Sequence, residues 1–117
     1  MDKLIDAVKL GNICRVKRLL HDDVIVNTLH DKNTYGNTAL IEASKWNNTK
    51  IVKLLLEYGA NVNDTNNVNN TALIEATKCG NVDTIQLLLV HGANVNNGNI
   101  LVKVSLSAII ATFFIKL

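Results

Sequence analysis

The chain has 117 residues, 48% of them hydrophobic and 19% charged, so it is one folded domain at most and neither a multidomain assembly nor a disordered segment. Its formal net charge is only +2, with the basic residues spread along the chain, which leaves no electrostatic footprint for nucleic acid. Seventeen residues are Asn and none is Pro, a bias that reads as codon drift and not as chemistry.

The chain opens Met1-Asp2-Lys3-Leu4-Ile5-Asp6, with an acid where a secretory signal needs a basic segment and then an apolar core. Asp2 is the candidate cap of a first helix through Leu4-Ile5-Asp6-Ala7. Gly11-Asn12 then reads as a turn, and Val16-Lys17-Arg18-Leu19-Leu20 as a second helix. Val26-Asn27 follows, and His30-Asp31-Lys32 reads as an insertion in the loop before Asn33. Thr38 is placed to cap the next helix, which is expected to end within about nine residues at the tight turn Asn47-Asn48. In the helix after it, Ile51, Val52, Leu55 and Leu56 make a broad apolar stripe, and Gly59 stops it in the left-handed conformation. Thr71, the turn Gly80-Asn81, the run Thr84-Ile85-Gln86-Leu87-Leu88-Leu89 and Gly92 repeat that plan. The Asn-rich segments 61–70 and 94–99 form projecting turns, where Asn69 tolerates a positive φ.

The similarity is periodic. Thr38-Ala39-Leu40-Ile41-Glu42-Ala43 returns as Thr71-Ala72-Leu73-Ile74-Glu75-Ala76, and Gly59-Ala60-Asn61-Val62-Asn63 as Gly92-Ala93-Asn94-Val95-Asn96, both at an offset of 33. The degenerate first copy stands 36 residues earlier. A period of this length, with Thr-x-Leu, a small Ala, a Leu triplet and Gly-Ala-Asn-Val-Asn in phase, resembles the ankyrin repeat over residues 1–97, in copies of about 1–32, 33–65 and 66–98. The resemblance implies an all-α solenoid of helix-turn-helix repeats with short projecting hairpin loops. Neither helix of a repeat buries its stripe alone, so stability comes from stacking copy on copy. The family signature Thr-Pro-Leu-His is incomplete, with Ala39 and Ala72 in place of Pro and Ile41 and Ile74 in place of His. These repeats are therefore expected to be less rigid than the consensus.

The titratable groups do not converge on a reaction centre. His21 and His91 stand at helix ends and His30 in the inserted loop, while Asp6, Glu42 and Glu75 fall in first turns, where a carboxylate favours the helix dipole. Cys14 and Cys79 are far apart, without His at ligand spacing, and read as free thiols of a reducing compartment. No Gly-rich phosphate cradle occurs. The expectation is a non-enzyme without cofactor, metal or small-molecule substrate, placed in the cytoplasm. The resemblance extends to AT-biased ankyrin proteins of large DNA viruses and intracellular bacteria, which associates it with a host cytoplasm.

In the resembled family the concave face, built from loop tips and the outer positions of the first helices, is the usual binding surface for a protein partner. Carried over by position, the second copy offers Thr34, Tyr35, Asn37, Lys45, Trp46 and Tyr58, and the third offers Asn67, Val68, Asn70, Lys78, Cys79 and His91. The single Trp and both Tyr fall in one repeat. Tyr35, Trp46 and Tyr58 are expected to be exposed on one continuous concave surface, with Lys45 and Lys78 at a margin that suits an acidic partner.

From Ile100 to Leu117 thirteen of eighteen residues are apolar, with Lys103 and Lys116 the only charges, and Val104-Ser105-Leu106 stands where a fourth Thr-Ala-Leu is due. Three readings of the 98–117 tail stay open. It is a helix covering the third copy, the scar of a truncation in a longer repeat protein, or an anchor for a small membrane-associated protein. The stretch without a charge, Val104 to Ile115, is 12 residues, against the ~20 needed to span a bilayer.

Overall fold

Threonine sets the phase of each repeat. In the computed structural model, which describes residues 3–22 and 29–95, Thr38 and Thr71 lie in extended backbone and their hydroxyls accept from the Ile41 and Ile74 amides at 3.3 and 3.2 Å. Ala39 and Ala72 thus take the first helical position, the place that Pro occupies in the family signature. Among the described residues there are six helices and no strands: α1 (Lys3–Lys9), α2 (Ile13–Leu20), α3 (Ala39–Lys45), α4 (Thr49–Glu57), α5 (Ala72–Cys79) and α6 (Val82–Val90). The expected cap Asp2, the Val26-Asn27 segment and the apolar tail lie outside the described residues.

Each pair is joined by a turn whose hinge carries a positive φ, at Gly11, Asn47 and Gly80. Asn47, the one Asn among these three hinges, reflects the tolerance of that residue for the left-handed region. Asn12 and Asn48 accept from the Arg15 and Ile51 amides at 3.1 and 3.3 Å and so cap α2 and α4. Asn81 does not cap α6; its amide crosses to the Ser44 carbonyl of the preceding repeat at 3.0 Å. The second helices stop at Gly59 and Gly92, with φ near +90°, as their glycines lead one to expect.

Two layers result. The inner helices α1, α3 and α5 pack side by side in chain order, and so do the outer helices α2, α4 and α6. Ala7, Ala43 and Ala76 are fully buried at equivalent inner positions, where the absence of a larger side chain lets neighbouring helices approach. Val16, Val52 and Ile85 are likewise fully buried at equivalent positions of the outer layer, and Leu55 and Leu88 are 0% exposed. Ser44 and Thr77 sit between inner helices with their hydroxyls donating to the Leu40 and Leu73 carbonyls at 2.8 and 2.7 Å, so two buried polar groups are satisfied within their own helices.

Candidate functional site

The loops before α3 and α5 are built from Asn. The Asn33 side-chain carbonyl accepts from the amides of Tyr35 and Asn37, both at 3.0 Å, and the Asn37 carbonyl accepts from the Asn33 amide. Asn66 repeats this with Val68 and Asn70 at 3.1 and 3.0 Å. Each loop then hangs on the carboxylate of the helix it precedes. Asn33 and Asn37 donate to Glu42 Oε1 at 3.1 and 2.8 Å, while Asn66 and Asn70 donate to Glu75 Oε2 at 3.2 and 3.3 Å. Asn66 also donates to the Asn37 side chain at 2.9 Å, which ties the two networks into one.

This corrects one reading of the sequence and extends another. The Asn excess is not inert, since Asn33, Asn37, Asn66 and Asn70 shape the loops; and Glu42 and Glu75, in the first turns of their helices as expected, are in addition buried acceptors. Glu42 is 3% exposed. Burial pushes its carboxyl upward, but donation from Asn37, Trp46 and Asn33 and the nearby Lys45 outweigh that and hold it below its ordinary range. A depressed folded value stabilises the fold fully above the unfolded-chain value of about 4.3 and ceases to do so as pH falls through the folded one. Glu42→Gln is therefore expected to lower the neutral-pH melting temperature and to flatten its decline below about pH 4. An acid limb identical to that of the parent, followed by circular dichroism, would show that Glu42 is not the group that titrates.

Trp46 joins the same network. Its indole Nε1 donates to Glu42 Oε2 at 3.0 Å, one turn back along α3, and Lys45 Nζ lies 5.8 Å from the ring centroid. The ring is nonetheless 60% exposed, and Tyr35 at the loop tip is 70% exposed. Adjacent loops are fastened to each other. The Asn67 amide donates to the Tyr35 carbonyl at 3.1 Å, its side chain to the Thr34 carbonyl at 3.0 Å, and Lys32 Nζ to the Thr65 carbonyl at 2.7 Å. Thr34, Tyr35, Asn67 and Val68 thus form one row of exposed tips. Lys45, Trp46, Lys78 and Cys79 form a second exposed group at the ends of the neighbouring helices α3 and α5.

Four expected contact residues are placed elsewhere. Asn37 is buried and Asn70 half-buried, their amides held by Glu42 and Glu75. Tyr58 and His91 end the outer helices α4 and α6. Tyr58 packs edge-on against His21 at the end of α2, with ring centroids 6.0 Å apart, and His91 Nδ1 lies 2.9 Å from the Leu87 carbonyl. The three aromatic rings therefore do not share one concave surface: Tyr35 and Trp46 belong to the loop and inner layer, Tyr58 to the outer. The reason is positional, because the residue that ends a second helix lies in the second layer whatever its chemistry. Conversely, Lys9 and Leu10 end α1 as Lys45 and Trp46 end α3, and are exposed. The offset of 36 residues between the first two copies would have found them.

Among the described residues no group of three potential metal ligands occurs and no helix is long and apolar enough to cross a membrane. Cys14 and Cys79 are exposed free thiols. Comparison with known families matches residues 4–99 to the family described as ankyrin repeats (3 copies). Over 61 residues the chain is also 39% identical to an inactive serine/threonine-protein kinase of Bos taurus, TEX14. That similarity covers 52% of this chain but 4% of the relative, so the chain spans only a small part of that protein's length.

Proposed function

Because the chain belongs to the ankyrin repeat family, whose repeats are generally protein-protein interaction modules, we propose that it is a non-catalytic binding module that holds a partner protein on its concave side. The contact residues in this reading are Thr34, Tyr35, Asn67 and Val68 at the loop tips and Lys45, Trp46, Lys78 and Cys79 on the inner helices. The observation that carries it is Trp46, a large ring that stands mostly in solvent while its Nε1 is fixed on a buried carboxylate. A ring so held offers area to be buried on binding with little rotamer freedom left to lose, which is the property of an interface hot spot.

The test is to recover proteins on the immobilised intact chain, identify them, and titrate each against variants. Trp46→Ala is expected to weaken a true partner by ~2 kcal/mol or more, with the helical circular dichroism signal retained. A partner bound equally well by Trp46→Ala but lost on Tyr58→Ala or His91→Ala would move the binding surface to the outer layer and overturn the reading.

A further inference from the structure

The inner helices carry a basic row in register. Lys9, Lys45 and Lys78 lie in the last turns of α1, α3 and α5, at offsets of 36 and 33 residues, and all three are exposed. The next residue in each copy is also exposed and is apolar or soft: Leu10, 79% exposed, then Trp46 and Cys79. A lysine near a helix C-terminus is favoured by the helix dipole alone, and that accounts for each rung singly. It does not account for a second, apolar row beside the first.

Resting on the concave-face reading above, we propose that these two rows receive an acidic peptide segment in polyproline-II conformation, laid across α1, α3 and α5 with a carboxylate at every third residue. The spacing selects this conformation. Packed helices stand about 8–10 Å apart, and a polyproline-II segment, with three residues per turn and a 3.1 Å rise, returns a side chain to the same edge every ~9.3 Å. A β-strand, rising ~3.3 Å per residue with alternating faces, repeats at ~6.6 Å and meets only every other lysine in poor register.

The charge balance of the face agrees. The acids that precede the lysines in α3 and α5, Glu42 and Glu75, are buried and accept from Asn side chains. Glu75 Oε1 reaches Lys78 only at 3.9 Å, and Lys45 lies over the exposed Trp46 ring with its nearby carboxylate, Glu42, already taken up by Asn33, Asn37 and Trp46. In α1 the equivalent acid, Asp6, is exposed three residues before Lys9, so the first rung is the weakest of the three.

Selection of phage-displayed random dodecapeptides on the intact chain tests the proposal, with enriched peptides synthesised, labelled with fluorescein and titrated by anisotropy. The expected peptides carry Asp or Glu at i, i+3 and i+6 with apolar residues between, and lose affinity as salt is raised. Lys45→Ala and Lys78→Ala are each expected to weaken them about two- to five-fold, Lys9→Ala less, and Lys45→Arg to retain them. Acidic residues spaced by two or four, or no enrichment, overturns the proposal. Enriched peptides without acidic spacing that ignore the lysine variants but are lost on Trp46→Ala overturn it too, while leaving the concave-face reading in place. Peptides indifferent to Trp46 and to the lysines overturn both.

Discussion

Leu55→Ala is expected to cost ~2 to 5 kcal/mol and Leu88→Ala a comparable amount, read as a fall in the urea midpoint. Both side chains are wholly enclosed, each in an outer helix packed against the outer helix of the neighbouring copy. Truncation leaves a cavity that the rigid stack closes only in part, so the cavity adds to the loss of apolar burial. A domain of this size has about 5–15 kcal/mol in all, which makes either substitution a large fraction of its stability. The two sites differ in one respect. Leu55 lies in the central repeat, whose helices touch copies on both sides, whereas Leu88 lies in the third. In a linear array, loss at the centre uncouples the ends, so the Leu55→Ala transition is expected to be broader as well as earlier. An unchanged midpoint in either variant would mean that the repeat register is wrongly assigned.

Gly36→Ala is the second large effect. Gly36 has φ +79°, and a Cβ there would be driven into the side chain and backbone of Asn67, the residue that fastens the next loop. The left-handed backbone costs ~1 to 3 kcal/mol for a residue with a side chain, and overpacking adds ~1 to 3. A total loss of about 2 to 6 kcal/mol is therefore expected. Gly80 provides the control, since it has φ +71° with open space around its Cβ direction. Gly80→Ala bears the backbone strain alone, and equal losses in the two variants, measured by thermal melts, would show that the approach of Asn67 to Gly36 contributes nothing.

The same pair of loops shows what was legible in the sequence. Thr38, Thr71, Gly59, Gly92 and Asn69 announce helix starts, stops and a left-handed turn because each acts through its own backbone or that of residues three or four away, and a repeat displays such local rules twice. Leu55 and Leu88 were legible for a similar reason, since an apolar stripe in phase has only one place to go. The Asn33–Glu42 and Asn66–Glu75 hydrogen bonds span nine residues, and Asn66 to Asn37 spans 29. Asn33 does recur as Asn66 and Asn37 as Asn70 at the offset of 33, but so do Asn48 as Asn81 and Asn61 as Asn94, so recurrence marks the positions without naming the partner each amide finds. The site was half legible: the positions carried over from the resemblance located the loop tips and inner helix ends, but a residue list by repeat position did not say that Tyr58 and His91 end the outer layer or that Asn37 faces inward.

The network that holds the loops is made almost wholly of primary amides, and amides age. Asn is among the thermolabile residues, and hydrolysis of the Asn37 side chain would set a second carboxyl group 2.8 Å from Glu42 in a place with little water to screen it. Two acids so close cannot both ionise, and the donor that held the loop would be gone. Burial shields these amides while the chain is folded and heating exposes them, so a chain that refolds fully after one melt is expected to return a smaller native fraction after many.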